Sequence, residues 1–369
     1  MLKEKNLIED NVINNHNIIP WNSKEFPVKI NNIRYNQNYS LFVLATSRGY
    51  KIFSTKNLEQ VHEETDKVRE LGEISLAMTY YSSNLVFFVG KKYNENISEK
   101  ELIIFDDFSQ DIISSFKSKK EKIVNFYVGK YEIYIVLDSE IIVIELFTFK
   151  IVNIIKNIYS EPKLCSFNIN GFSSFIKKDE KNKVYIKALN FENNKIISIK
   201  NTYIIPNFES IQSVQLSPNG KYIALSSIFG NKIHIYYVEN LILKECFYLG
   251  NEMNNIIKIS FPLKDDNFLI LQINENKFRI FGFSNILEGQ FKCICNKYKN
   301  EELVKEVIKK KENENGWFNY IKNRYFSYTT IDNNVNNSLI AFVVKEGILF
   351  LEFDENMIDD NKKKIIIIN

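Results

Sequence analysis

"IQSVQLSPNGKYIALSSIFGNKIHIYYV", Ile211 to Val238, holds three short apolar runs separated by two turns. Pro218-Asn219-Gly220 is turn chemistry, since proline presets φ on entry and glycine accepts a positive φ. Ser226 to Asn231 supply the second turn. Lys232 to Val238 then alternate polar and apolar until two tyrosines break the strictness. Three short strands is the reading.

Working outward, blocks of this kind recur near residues 28–54, 73–108, 122–150, 163–200, 209–240, 255–284 and 324–353. Self-similarity at such spacing is the signature of a repeat architecture. Three or four short strands per block, seven times over, predict an all-β fold: a seven-bladed, WD40-like β-propeller. No βαβ alternation is present, and a sandwich would not use so many comparable blocks. The propeller is placed at 25–358, after a flexible polar N-terminus, 1–24, and before a tail, 359–369. Within the tail, "KKKIIIIN" (Lys362–Asn369) reads as a final strand or a frayed end.

One interruption, 284–323, leaves the sixth block. Its "NEELVKEVIKKKENENG" sets Leu303, Val304, Val307 and Ile308 at helical spacing among charges. Two readings stay open: a solvated loop docked on its own propeller, or a loop that touches a membrane or a partner. Phe291, Cys293, Tyr298 and Leu303 suffice for shallow membrane contact.

Composition narrows the function. The chain has 369 residues, 45% hydrophobic and 14% aromatic, ample for a large core of β-formers. A net charge of +3 gives no global basic field, which argues against nucleic-acid binding. Cys165, Cys246, Cys293 and Cys295 are too few and irregular for a disulfide framework, so free thiols in a reducing compartment are expected. No apolar core of signal-peptide length opens the chain. "EIIVIELFTFKIVNIIKNI" is interrupted by Glu145, Lys150 and Lys156, so buried strands are expected there and not a membrane span.

Catalytic constellations are missing. "VGKK" and "VGKY" lack the earlier glycine of a P-loop. No Gly-x-Ser-x-Gly elbow exists. His16, His62 and His234 have no partner at metal-ligand spacing, and Cys293-x-Cys295 is too tight for a zinc or redox pair. Asp106-Asp107 are neighbours on a strand and point to opposite faces. A binding protein, not an enzyme, without cofactor or metal, is the expectation.

Three stretches resemble one family. "YNQNYSLFVLATSRGYKIF" (Tyr35–Phe53) resembles the opening blade of the PROPPINs, the WIPI-type propellers. "NLVFFVG" with "LIIFDD" resembles their second blade, and "KIVNFYVGKYEIYIVLDSEIIVIEL" their third. The resemblance runs from about Ile33 to Phe353. It implies a seven-bladed propeller that binds phosphatidylinositol 3-phosphate, often the 3,5-bisphosphate, through two pockets on one rim. It implies a blade-six loop inserting into the bilayer, here carrying Phe291, Tyr298 and Leu303. It further implies a scaffold that recruits autophagy proteins, including lipid-transfer partners, through its early blades. The setting would be cytoplasmic, peripherally attached to phagophore, endosomal or vacuolar membranes.

The family's hallmark is Phe-Arg-Arg-Gly at the end of blade five, one arginine to each pocket. In "KECFYLGNEM" (Lys244–Met253) that place is held by Phe247, Tyr248, Leu249 and Gly250. The frame survives and the charges do not. A charge-assisted hydrogen bond to phosphate is worth roughly 1.5–3 kcal/mol, so the loss weakens each pocket. Matching further family positions brings Ser227, Asn231 and His234 in blade five and Lys277 and Arg279 in blade six. Lys277 and Arg279 have a plainer reading as solvated strand residues, His234 as an outward surface histidine, and Tyr248 and Leu249 as packing replacements on an edge strand or an apolar contact for a protein partner. Lys232, Lys244 and Lys258 add nonspecific attraction to an anionic surface. A protein-interaction scaffold whose lipid pockets have decayed is the competing reading.

Overall fold

The computed structural model describes residues 29–55, 60–61, 65–92, 94, 96–207, 210–250, 253–261, 268–273, 277–282, 326–331, 337–344, 347–354 and 365–367, and beyond 262 the side chains of Leu269 and Leu271 alone. Nearly all of this is strand. Among the described residues the strands form seven separate sheets, each pairing its strands antiparallel in chain order. The first and sixth sheets have three strands and the others four. The sheets span 30–54, 74–117, 123–156, 165–204, 211–248, 256–282 and 326–367. Their starts match the blocks read from the sequence.

The first strands of neighbouring sheets touch. Ile30–Tyr35 lies against Ile74–Thr79, Ile211–Leu216 against both Cys165–Phe167 and Ile256–Ser260, and Phe326–Ile331 returns to Ile30–Tyr35. The apolar core therefore sits between sheets. Leu76, Phe87, Phe126 and Ile135 join the second sheet to the third. Ile186, Val214 and Leu225 join the fourth to the fifth, and Ala224, Ile233, Ile259 and Leu269 join the fifth to the sixth. Because both faces are covered, the middle strands Glu132–Leu137 and Tyr222–Ser227 are buried at every position. That is why they read as continuous apolar runs and not as alternation.

The outermost strands follow other rules. Asp111–Lys117 is largely exposed, Ile151–Lys156 is half exposed, and Leu243–Tyr248 is mostly half-buried with Phe247 covered. The apolar stretch 140–158 thus divides into a buried strand, Glu140–Glu145, and a half-exposed edge strand, Ile151–Lys156, which corrects the expectation of two buried ones. No helix among the described residues is long and apolar enough to cross a membrane. In the tail, Ile365–Ile367 pairs with Leu349–Leu351, so the final-strand alternative holds and the seventh sheet runs past the boundary placed at 358. A short helix, Asp66–Glu70, had no counterpart in the sequence pattern. Thr65 caps it, and Val68 closes over Gly49, where φ is +76° and an added Cβ would lie 2.3 Å from the Val68 carbonyl oxygen.

The sheets have two distinct ends. At one, the turns between first and second strands are stitched together by side chains. Gln37, 1% exposed, donates to the Val128 carbonyl at 2.8 Å and accepts from the Tyr81 amide at 2.6 Å, so one side chain ties three sheets. Asn36 adds a bond to the Tyr81 carbonyl, and Asn168 and Asn170 bond the Ser217 and Asn219 carbonyls. At the other end, turns between second and third strands bond to the connections between sheets: Gly49 to Gly72, Lys178 to Asn157, Asn254 to Phe229. Asp106 and Asp107 serve structure. Asp106 caps its own turn through the Phe108 amide, and Asp107 accepts the Tyr50 hydroxyl at 2.6 Å, joining the first two sheets.

Candidate functional site

The fifth sheet ends in the strand Leu243–Tyr248, its outermost. The register pairs Tyr248 with Lys232, Phe247 with Ile233 and Cys246 with His234. Successive residues point to opposite faces, so the four positions Phe247 to Gly250 divide. Phe247, 2% exposed, and Leu249, 7% exposed, join the apolar cluster shared with the sixth sheet, among Ile256, Ile259 and Leu271. Tyr248 is 55% exposed and lies on the face that carries Lys232, His234 and Cys246. Gly250 has φ of +103° and open space where a Cβ would go, so conformation and not crowding calls for glycine.

Beside this strand lies the turn 227–231. The Ser227 hydroxyl donates to Asn231 Oδ1 at 2.9 Å and accepts the Lys232 amide at 3.2 Å. The Asn231 carbonyl receives the Leu249 amide at 2.7 Å, which fixes the end of the edge strand to the turn. Ser227, Asn231, Lys232 and Tyr248 thus come together at one corner of the sheet. Ser227 and Asn231 spend polar atoms on each other, which builds the frame of the corner.

His234 is not the outward residue the sequence suggested. It is 5% exposed, and its Nδ1 lies 3.1 Å from the Tyr236 hydroxyl. Burial first, and the charge of Lys232 second, hold its imidazole below the usual histidine range. The central strand of a sheet covered on both faces leaves no outward position, which is the reason for the correction. Lys258 is displaced in another way. It sits on the innermost strand of the sixth sheet, where burial and then the charge of Arg34 press its ammonium down to about 8. Arg34 in turn donates to the Phe126 carbonyl and to Asn125 Oδ1, so both cations belong to the inner strands and not to the rim. Lys244 donates to the Tyr237 hydroxyl at 3.2 Å and lies over the Tyr222 and Tyr237 rings.

Lys277 and Arg279 belong to the last described strand of the sixth sheet, Lys277–Gly282. The register opposes Arg279 to Leu271 and Lys277 to Ile273. Both positions therefore share the sheet face of Leu271, the face packed toward the fifth sheet. Phe291, Tyr298 and Leu303 lie outside the described residues. Among the described residues no group of His, Cys, Asp and Glu has metal-site geometry, and Cys165 and Cys246 are free thiols.

No family model matches the chain. Curated relatives include SVP1-like protein 2 of Schizosaccharomyces pombe, 26% identical over 219 residues, covering 57% of this chain and 56% of the relative. SVP1-like protein 2 of Saccharomyces cerevisiae is 23% identical over 290 residues, with 70% and 64% covered. Autophagy-related protein 18 of Dictyostelium discoideum is 21% identical over 251 residues, with 68% and 64% covered. Each match spans less than two thirds of the relative's own length. Among solved structures, Kluyveromyces lactis Hsv2 superposes with a TM-score of 0.65 at 16% identity, covering 89% of this chain and 93% of that one. A complex of KlAtg21 with the coiled coil of AgAtg16 gives 0.58 at 14% identity, with 92% and 98% covered. At such identities the structures establish the fold, an all-β propeller. The curated relatives are autophagy-related protein 18 and SVP1-like proteins, the PROPPIN group that the sequence resembles, and the solved structures share the chain's fold.

Proposed function

We propose that the chain is a PROPPIN-type adaptor at autophagy-related membranes, its seven sheets closing as seven blades and its phosphoinositide recognition reduced. The observation that supports this is the corner of the fifth sheet, where Ser227, Asn231, Lys232 and Tyr248 converge on the face turned away from the sixth sheet, while Lys277 and Arg279 hold register positions on the sixth sheet across the opposite face. Lys232 supplies a cation and Tyr248 a hydroxyl to one side of the sheet. On the other side Lys277 and Arg279 stand in for the missing arginine. Point charges at a rim hold an anionic headgroup less tightly than a bidentate guanidinium does. Weak pockets together with a loop from the sixth blade still give useful residence through avidity. Names of the relatives support an autophagy setting, and the lipid class follows from the family resemblance.

Flotation with vesicles that contain or lack phosphatidylinositol 3-phosphate tests the reading. Preferential recovery with the phosphoinositide, weakened about three- to thirty-fold by Arg279→Ala, is expected. Equal recovery on both vesicle types removes lipid reading from the function. The second reading, a protein scaffold that no longer reads phosphoinositides, is favoured by one observation: Leu249 fills an apolar cluster where the family carries a charge. No catalytic step is proposed.

A further inference from the structure

The turn between the second and third strands of the fifth sheet is Ser227-Ile228-Phe229-Gly230, closed by the Gly230 amide on the Ser227 carbonyl at 2.8 Å. Its central positions usually take Asn, Asp, Gly, Ser or Pro, each for a backbone reason. Here they are isoleucine and phenylalanine, 44% and 50% exposed. The corresponding short turns of the first, third and fourth sheets are polar: Ser47-Arg48, Asp138-Ser139 and the segment 177–183. A local rule broken with no packing gain marks a working surface.

The backbone beneath these two side chains is fastened on every side. The Ile228 amide donates to the Ser210 carbonyl at 2.9 Å and the Asn254 amide to the Phe229 carbonyl at 2.8 Å. Gln212 donates to the Ile228 carbonyl at 3.2 Å while its Oε1 accepts the Ile256 amide. Gly230, at φ +61°, lets the Asn254 carbonyl approach so closely that a Cβ would stand 1.9 Å from its oxygen. Met253, 73% exposed, precedes that same Asn254. The backbone beneath Ile228 and Phe229 is therefore fixed, which lowers the ordering cost of inserting their side chains, and Met253 stands beside them.

The surroundings say what kind of surface they meet. At the same end of the neighbouring fourth sheet, the turn 177–183 carries Lys177, Lys178, Lys181 and Lys183 against Asp179 and Glu180. Lys178 and Lys181 are exposed. Lys232 follows the apolar turn directly. Scattered apolar tips flanked by cations suit a planar, anionic lipid surface, where hydrocarbon takes the tips and headgroups take the charges. We infer that Ile228, Phe229 and Met253 form a membrane wedge on the fifth sheet, separate from the segment after the sixth and independent of headgroup identity. The inference rests on the membrane reading proposed above and assigns it a new contact.

The test uses the full chain and vesicles of phosphatidylcholine and phosphatidylserine, with and without phosphatidylinositol 3-phosphate. Ile228→Ser/Phe229→Ser should bind both vesicle types about ten- to a hundred-fold more weakly, with an unchanged melting temperature. Phe229→Trp should keep binding and gain fluorescence quenching, relative to the parent chain, from vesicles with brominated acyl chains. A double variant that floats like the parent overturns the wedge, as do an unquenched tryptophan and a parent chain that floats with neither vesicle. Loss in the double variant together with equal parent recovery on both vesicle types supports the wedge and overturns phosphoinositide reading. The two failures are thus separable.

Discussion

Two turns at opposite ends of the sheets invert the usual distribution of side chains. At 36–40 a glutamine and an asparagine are buried, at 1% and 2% exposure, and stitch three sheets together. At 227–230 an isoleucine and a phenylalanine are held out in solvent by a pinned backbone. Buried polar groups are tolerated only when satisfied, whereas an exposed apolar side chain in a turn gains nothing from the fold beneath it. The contrast lies between a turn whose side chains hold the sheets together and a turn whose side chains do not.

The largest expected effect breaks the stitched end. Gln37→Ala strands the Val128 carbonyl and the Tyr81 amide, and each buried group left unpaired costs about 1–3 kcal/mol. A fall in unfolding free energy of about 2–4 kcal/mol is predicted, measured by denaturant titration. No change would mean that water replaces the side chain and that this end is not the structural one.

The same end carries a buried carboxyl as well. Glu132 is fully covered, its Oε1 has no hydrogen-bond partner, and burial raises its carboxyl from 4.5 to about 7 against the opposing amide bonds from its own turn. A folded-state value above the unfolded one means the folded chain holds the proton more tightly. This contribution to stability is complete below pH 4.5 and is lost as pH rises through about 7. Glu132→Gln should therefore unfold like the parent at pH 5 and be more stable by about 1–3 kcal/mol at pH 8. A pH-independent difference would contradict the assignment.

Smaller effects separate the two faces of the edge strand. Leu249→Arg drives a guanidinium toward the cluster of Ile256, Ile259 and Leu271 and should cost about 1–3 kcal/mol. Tyr248→Arg, on the exposed face beside Lys232, should change stability by less than about 0.5 kcal/mol and raise recovery on phosphoinositide vesicles. Restoring both arginines at once is the poorer design, because only one site is open. Phe229→Ser, the smallest in stability, should leave unfolding within about 0.5 kcal/mol of the parent. A larger drop would return Phe229 to the core.

Legibility in the sequence followed the strength of local signals. The turn at 217–220 was readable because Pro218 and Gly220 leave few backbone choices, and Gly220 indeed adopts φ of +76°. The edge strand Asp111–Lys117 fell beyond its block because an exposed outer strand needs no sustained apolar pattern, and Ile151–Lys156 was read as buried because its apolar residues do not reveal that nothing covers one face. The helix Asp66–Glu70 was missed because five residues with one buried side chain leave no period to detect. At the site, alternation alone sends Tyr248 and Leu249 to opposite faces. Which face was buried depended on a neighbouring sheet remote in sequence.

By itself the sequence determined the repeating strands, their turns, the family likeness and the absence of both arginines, since each resides in contiguous residues. Tertiary structure decided that Leu249 and His234 are interior, that Lys258 lies on an innermost strand, and that Phe229 stands exposed. Those outcomes depend on which sheet covers which face, and coverage is a property of chain segments brought together from far apart.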